Sequence, residues 1–315
     1  MTRGRTHAGV LCQAGRVTIE PARAGEPPRF IGPRDPGDAW VVSETGERYW
    51  GRFGAAGLLA FDVERGVLLQ HRVGWSHFGG TWALPGGALH EGERALDGAL
   101  REASEEAGVP LTAVRPRFTS VLDLEIWQYT TVIADVVTHF AGAVTDPESV
   151  AVEWTAEHAV DDRPLHPGFG AAWPRLQELL HVRPVIVVDA ANVVGSVPDG
   201  WWKDRAGATS RLLERVSRLS GDGVPAAALG LGATHWFPEI VVVVEGAAGA
   251  VPEVDGVRIV RASGSGDDAL AGEVAALVED GFVVTAVTSD RGLRARAEDA
   301  GATVRGAGWL LELLG

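Results

Sequence analysis

The sequence is 315 residues long, 46% hydrophobic and 22% charged, with a formal net charge of −14 and one cysteine, Cys12. That length suits about two domains, each able to bury its own core, and a lone cysteine excludes a disulfide scaffold. No apolar run is long enough for a membrane-spanning helix, and the first residues lack the apolar stretch of a secretory signal, so the chain is expected in the cytoplasm.

Residues 1–37 mix Arg, Gly and Pro without a sustained period, as expected of a poorly ordered leader or a partly extended arm. A first domain is expected over 38–182. In it AAGLLAFDVE and GVLLQHR read as a hairpin, TWALPGGAL as a short strand broken by Pro-Gly-Gly, and EGERALDGALREASEEAG as a helix that Gly108 ends. SVLDLEIWQYTTVIADVVTHF supplies one or two strands, SVAVEWTAE another, and FGAAWPRLQELL a closing amphipathic helix.

A second domain is expected over 183–315. The runs PVIVVD, EIVVVVEG, GVRIVRA, FVVTAVTSD and ATVRG alternate with the helical stretches TSRLLERVSRLSG, GDDALAGEVAALVEDG, RGLRARAEDAG and WLLELLG. Apolar runs alternating with helices imply parallel strands covered on both faces, a doubly wound α/β fold.

The strongest chemical signal lies at 87–109. Glu102, Glu105 and Glu106 fall at i, i+3 and i+4, so three carboxylates share one helix face. Mutual repulsion disfavours such a cluster unless a cation sits on it, and a hard divalent ion is the natural occupant; a Glu-rich solvated face is the alternative. Gly86 and Gly87 let the preceding loop approach closely, and Arg101 can pair with neighbouring carboxylates, Glu93 among them.

Gly87, Glu93, Arg101, Glu102, Ala103, Glu105, Glu106, Gly108 and Val109 match the fixed positions of the Nudix box over 23 residues. The 38–182 region therefore resembles a Nudix hydrolase domain. The resemblance implies a mixed sheet between helices and hydrolysis of a nucleoside diphosphate linked to a further group. It also implies that Glu102, Glu105, Glu106 and the Gly87 carbonyl hold Mg²⁺ or Mn²⁺. Glu105 is the first choice of base, with Glu93 and Arg101 orienting the cluster. The TWALPGG approach resembles that of MutT-like enzymes, which implies a nucleoside triphosphate substrate, an oxidised one included. Trp75, His77, Phe78 and Trp82 precede the box and could stack a base, or could simply pack; Trp82 is taken as the nucleotide-binding candidate.

In the second domain Asp189, Glu245 and Asp290 close apolar runs, while Asp267 and Asp268 open a helix. Open parallel sheets bind ligands beyond the carboxyl ends of their strands, so Asp189, Asp267, Asp268 and Asp290 would form a second divalent metal site if they converge. Each alone could be a turn or cap residue. VVDAANVVG, GSGDDALA and VTSDRGLRARAEDAGATV resemble the motifs of PIN-like nucleases, the NYN branch in particular, which implies metal-dependent RNA hydrolysis with Asn192 positioning a ligand or phosphate. Trp201, Trp202, Lys203 and Arg205 could contact nucleotides, or could cover the sheet edge. Against RNA, residues 183–315 hold 12 basic and 18 acidic residues, where an RNA-tracking groove is usually basic.

The leading reading is a Mg²⁺-dependent nucleotide pyrophosphohydrolase joined to a PIN-like domain. An RNA-processing protein that trims 5′ phosphates and cuts the chain, and a nucleotide-sensing regulator, are the alternatives. Oligomeric state is not legible.

Overall fold

The computed structural model describes residues 17–23, 35–198 and 201–315; Cys12 lies outside them. Two compact units result. One reaches Arg115 and resumes over Val121–Gly170; the other combines Pro116–Ser120 with Ala171–Gly315.

In the first unit β1 (Thr18–Pro21), β2 (Ala39–Val42) and β3 (Arg48–Trp50) form a small antiparallel sheet. Thr18–Pro21, expected in a loose leader, is a strand because its backbone groups find partners from Val42 back to Ala39. The expected hairpin is β4 (Ala55–Asp62) and β5 (Gly66–Arg72). The short strands β6 (Trp82–Ala83) and β7 (Gly86–Ala88) lie antiparallel on β5 and β4. Helix α1 (Ala95–Ala107) follows, then β8 (Val114–Asp123), whose residues Pro116–Ser120 count with the second unit, and β9 (Gln128–Val136) and β10 (Ser149–Thr155). The strand order is β10-β5-β4-β9-β8, and β4 runs parallel to β9, so the sheet is mixed. Ala99, Ala103 and Ala107 are fully buried against Ala56, Leu58, Ala60, Val132 and Ala134; methyl side chains let α1 sit close to the sheet and hold its carboxylate face at the rim.

Helix α2 (Pro167–Leu179) contains the division between the units, ahead of the expected seam at 182. Its last turns belong with the second unit, where Arg117 Nη1 donates to the Leu180 carbonyl and Leu179 approaches Gly232.

The second unit comprises β11 (Pro184–Asp189), α3 (Ala190–Gly195), α4 (Arg205–Asp222), β12 (Val224–Pro225), α5 (Ala226–Leu229), β13 (His235–Trp236), β14 (Glu239–Val244), β15 (Val257–Arg261), α6 (Gly266–Glu279), β16 (Val283–Val287), α7 (Arg291–Asp299), β17 (Thr303–Arg305) and α8 (Ala307–Leu314). No hydropathy period marks Val224–Trp236; it is ordered because β13 pairs with Phe118 and Thr119 and buries Trp236 on the Phe118 ring, centroids 4.4 Å apart.

The main sheet of this unit is wholly parallel, in the order β15-β14-β11-β16-β17. Successive side chains of a strand point to opposite faces. Ile186, Val188, Ile240 and Val242 accordingly pack with α4 and α8, while Val185, Val187, Val241 and Val243 pack with α6 and α7. This is the doubly wound arrangement expected. Its strand order reverses between β11 and β16, the position at which such sheets leave a crevice for ligands. Among the described residues no helix is long and apolar enough to cross a membrane.

Candidate catalytic sites

The carboxylates of α1 meet the loop that leads into it. Arg101 is the hub. Its Nε and Nη2 donate to Glu93 Oε1 and Oε2, both at 2.9 Å, and Nη2 also reaches the Ala88 carbonyl at 3.1 Å. Nη1 donates to Glu102 Oε1 at 2.8 Å and to Glu105 Oε2 at 3.2 Å. Glu93 also accepts the His90 N–H at 2.9 Å, so the bidentate pair ties the loop to the helix. The Arg101 hydrogen bond holds the Glu93 carboxyl below its ordinary range.

Glu106 turns the other way and accepts the Gly86 N–H at 2.9 Å. Burial, then the neighbouring Glu102 charge, push its carboxyl up to about 8, and burial likewise raises Glu102. Gly87 is constrained by packing: a Cβ there would lie 2.7 Å from the Glu102 carboxylate. Tyr129, which no motif marks, reaches the same corner; its hydroxyl would lie 2.2 Å from a Cβ on Gly57, and burial followed by the Glu106 charge keeps it protonated.

Glu93, Arg101, Glu102, Glu105 and Glu106 are thus brought into one network with Gly87 beside it. Among the described residues no three His, Cys, Asp or Glu side chains converge closely enough to share an ion; between Glu102 and Glu105 the cation is the Arg101 guanidinium. The donors nevertheless fit a hard divalent ion. They are all oxygens, and two are carboxylates whose ionisation is disfavoured by burial with no metal to offset it.

The aromatic candidates separate. Trp82 is buried at 6% exposure; His71 stacks on it at 4.8 Å and 10°, and the Arg163 guanidinium sits 4.3 Å from its ring centroid. It packs instead of binding a nucleotide as expected, because its ring faces are already covered by His71 and Arg163. Phe78 is instead 45% exposed.

In the second unit an open cavity of about 200 Å³ lies at the carboxyl ends of β11 and β14, lined by Asp189, Asn192, Glu245, Asp267 and Asp290 with Val243 and Leu270. Asp189 Oδ1 accepts the Asn192 N–H at 3.0 Å, and its Oδ2 accepts the buried Thr288 hydroxyl at 2.9 Å. Asn192 Oδ1 accepts the Ser289 N–H at 2.9 Å. Asp290 caps α7 through the Leu293 N–H. Burial raises the Asp189 carboxyl, with Asp267 and Glu245 adding repulsion.

Asp268, expected among the ion ligands, turns away: its carboxylate accepts from Arg296 at 2.9 Å and does not line the cavity. Neighbours on a helix are about 100° apart, so only Asp267 of the pair faces inwards. Glu245 takes the place beside it. Its Oε2 accepts the Gly266 N–H at 2.8 Å, where a Cβ would come within 2.6 Å. The signal for Glu245 was its position at the end of a strand. Trp201 packs inward on the core, with Arg205 5.3 Å from its ring, and Trp202 is 60% exposed.

Comparison with known proteins bears on the first unit. The NUDIX domain model matches residues 51–176. A Mycobacterium tuberculosis (strain CDC 1551 / Oshkosh) protein named "Putative 8-oxo-dGTP diphosphatase 3" is 49% identical over 154 residues, which cover 46% of this chain and 70% of that protein. The chain belongs to the Nudix family. It is an enzyme, a pyrophosphohydrolase of phosphoric anhydrides. A Bifidobacterium longum nucleoside triphosphate pyrophosphatase/Nudix hydrolase fusion protein is 36% identical over 180 residues, 52% of this chain and 37% of that protein. The solved Nudix hydrolase RenU from M. smegmatis is 47% identical, covering 45% of this chain and 94% of its own with a TM-score of 0.42.

Proposed function

We propose that the Nudix unit hydrolyses a nucleoside triphosphate at a pyrophosphate bond with Mg²⁺ or Mn²⁺, and that an oxidised guanine nucleotide such as 8-oxo-dGTP is its preferred substrate. The observation that carries this reading is the Glu93–Arg101–Glu102–Glu105 network beside Gly87 and Glu106. The names borne by relatives support the choice of nucleotide. Glu102, Glu105, Glu106 and the Gly87 carbonyl would hold the ion, which supplies charge neutralisation on the pyrophosphate and acidifies water.

The remaining work falls to side chains. Arg101 and Glu93 fix the carboxylates in one orientation. Glu105, with its side chain 61% exposed and only a 3.2 Å contact to Arg101, is the member best able to take a proton from the attacking water. Glu105→Gln is expected to lower turnover of 8-oxo-dGTP by about 10²-fold or more with the melting temperature kept. Unchanged turnover in a metal-supplied phosphate-release assay would remove Glu105 from the reaction.

For the second unit we infer a PIN-like, NYN-type metal-dependent hydrolase of RNA, with Asp189, Asp267 and Asp290 as ion ligands and Glu245 as a fourth acid. The reading rests on their position round one cavity at the carboxyl ends of strands in a parallel sheet. Wild-type protein is expected to cut single-stranded RNA with Mn²⁺ or Mg²⁺, and the double variant Asp189→Asn, Asp290→Asn to lose that activity. No cleavage by the wild type would make this unit a binding module.

A further inference from the structure

Phe78 stands out in the loop between β5 and β6. It has a positive φ of 52°, a backbone conformation that is an outlier for a bulky residue and that points to function when it persists. A large apolar residue is held there although it is 45% exposed. The loop is nonetheless braced. Thr81 Oγ1 donates to the Phe78 carbonyl at 2.6 Å, Arg72 Nε to the His77 carbonyl at 3.2 Å, and the Gly79 N–H to the Ser76 carbonyl at 2.9 Å.

Two imidazoles meet the phenyl ring edge-to-face, His77 at 4.2 Å and His166 at 4.7 Å. His166 Nδ1 accepts the Gly168 N–H at 3.1 Å. The neutral ring therefore carries its proton on Nε2, which has no hydrogen-bond partner among the described residues. Burial, with help from Arg72, pulls the His166 pKa down to about 4, so the ring is neutral near pH 7. A partly exposed aromatic residue beside an unused, uncharged donor is a combination suited to a nucleobase.

The position also suits one. His166 N–H donates to the Trp82 carbonyl at 2.8 Å, and from Trp82 the chain reaches Gly86, the partner of Glu106, in four residues. The Arg72 charge acts on Glu106 and on both histidines, so aromatic cluster and carboxylates share one electrostatic neighbourhood.

We propose that Phe78 and His166 form the purine-recognition surface of the Nudix site, the phenyl ring stacking on the base and His166 Nε2–H donating to an acceptor on its edge. This rests on the nucleoside triphosphate reading. Neither residue lies in the Nudix box, residues 87–109.

The test uses the full-length protein and the product-like probe dGMP, titrated calorimetrically without metal. Phe78→Ala is expected to weaken dGMP binding about tenfold, Phe78→Leu to do the same, and Phe78→Tyr to restore it. His166→Ala weakens dGMP binding while the melting temperature stays unchanged. With 8-oxo-dGTP and Mg²⁺, the Phe78→Ala loss appears in KM and not in kcat.

Wild-type protein that fails to bind dGMP, Phe78→Ala that binds it as tightly as wild type, or Phe78→Tyr that stays weak while melting normally would each overturn the proposal. The expected dGMP pattern in a protein that turns over no nucleoside triphosphate would uphold the base surface and defeat the hydrolytic reading instead.

Discussion

Asp62 shows how one buried carboxylate shapes this protein. With 2% of its side chain exposed, it ends β4 and accepts the Glu64 and Arg65 N–H groups at 2.9 and 3.1 Å, while Arg65 closes on it through Nε and Nη2 at 2.8 and 2.6 Å. Burial alone would raise its pKa, but these donors outweigh it and the group titrates below its ordinary value. The sign follows: its stabilisation is complete above the unfolded carboxylate value and is lost as pH falls through the lower folded value. Asp62→Asn should therefore cost about 2–3 kcal/mol at pH 7, and the gap to wild type should shrink in urea titrations run below about pH 4. A gap that persists there would assign the effect to packing.

Glu102, Glu105 and Glu106 were legible because helix geometry alone puts them on one face. The Glu93–Arg101 clamp spans eight residues, and the matched pattern named both partners. Trp82 and Phe78 could not be ranked from sequence, because the surroundings of each ring include Arg163 and His166, brought from one distant segment.

Among the elements, α1 sets the geometry of the hydrolytic site by where it stops as well as by what it carries. Gly108 closes it in the left-handed region at φ 64°, donating its N–H to the Ala103 carbonyl. Ala103 lies between Glu102 and Glu105 and is fully buried, so fraying of the last turn would loosen the carboxylate face. Gly108→Ala is expected to destabilise the fold by about 1–2 kcal/mol, read as a lowered midpoint in thermal or denaturant melts. Equal melting of variant and wild type would show that the αL cap carries no stability.

The five parallel strands of the second unit and the helices α4, α6, α7 and α8 were visible in sequence because apolar runs flanked by helical periods are local signals. Which helix-opening acid faces the cavity was not, since Asp267 and Asp268 differ only in rotation about α6, and Arg296 on α7 claims the second of them. Glu245 entered for the converse reason: its strand, β14, lies beside β11 in space although some fifty residues separate them in the chain.

At the scale of the whole molecule, each unit carries its own core and its own acidic site. Chemistry at one should therefore survive loss of the other. The Asp189→Asn, Asp290→Asn protein, in which asparagine can still cap α3 and α7, is expected to hydrolyse nucleoside triphosphates at the wild-type rate. A parallel loss of nucleotide turnover in a protein that melts normally would show that the sites are coupled.

The net charge of −14 takes its meaning at this level. Part of it is gathered at two rims where carboxylates lie close enough to raise one another, Glu102 on Glu106 and Asp267 with Glu245 on Asp189. Sequence by itself determined the Nudix box, the α/β character of both halves and the strand-end placement of the acids, because these follow from spacing along one helix or one strand. Only the tertiary structure decided that Trp82 is sealed and Phe78 open, that Asp268 turns away and Glu245 turns in, and that α2 is divided between the units. Those outcomes depend on which surfaces meet, and contacts between residues far apart in the chain leave no local period to read.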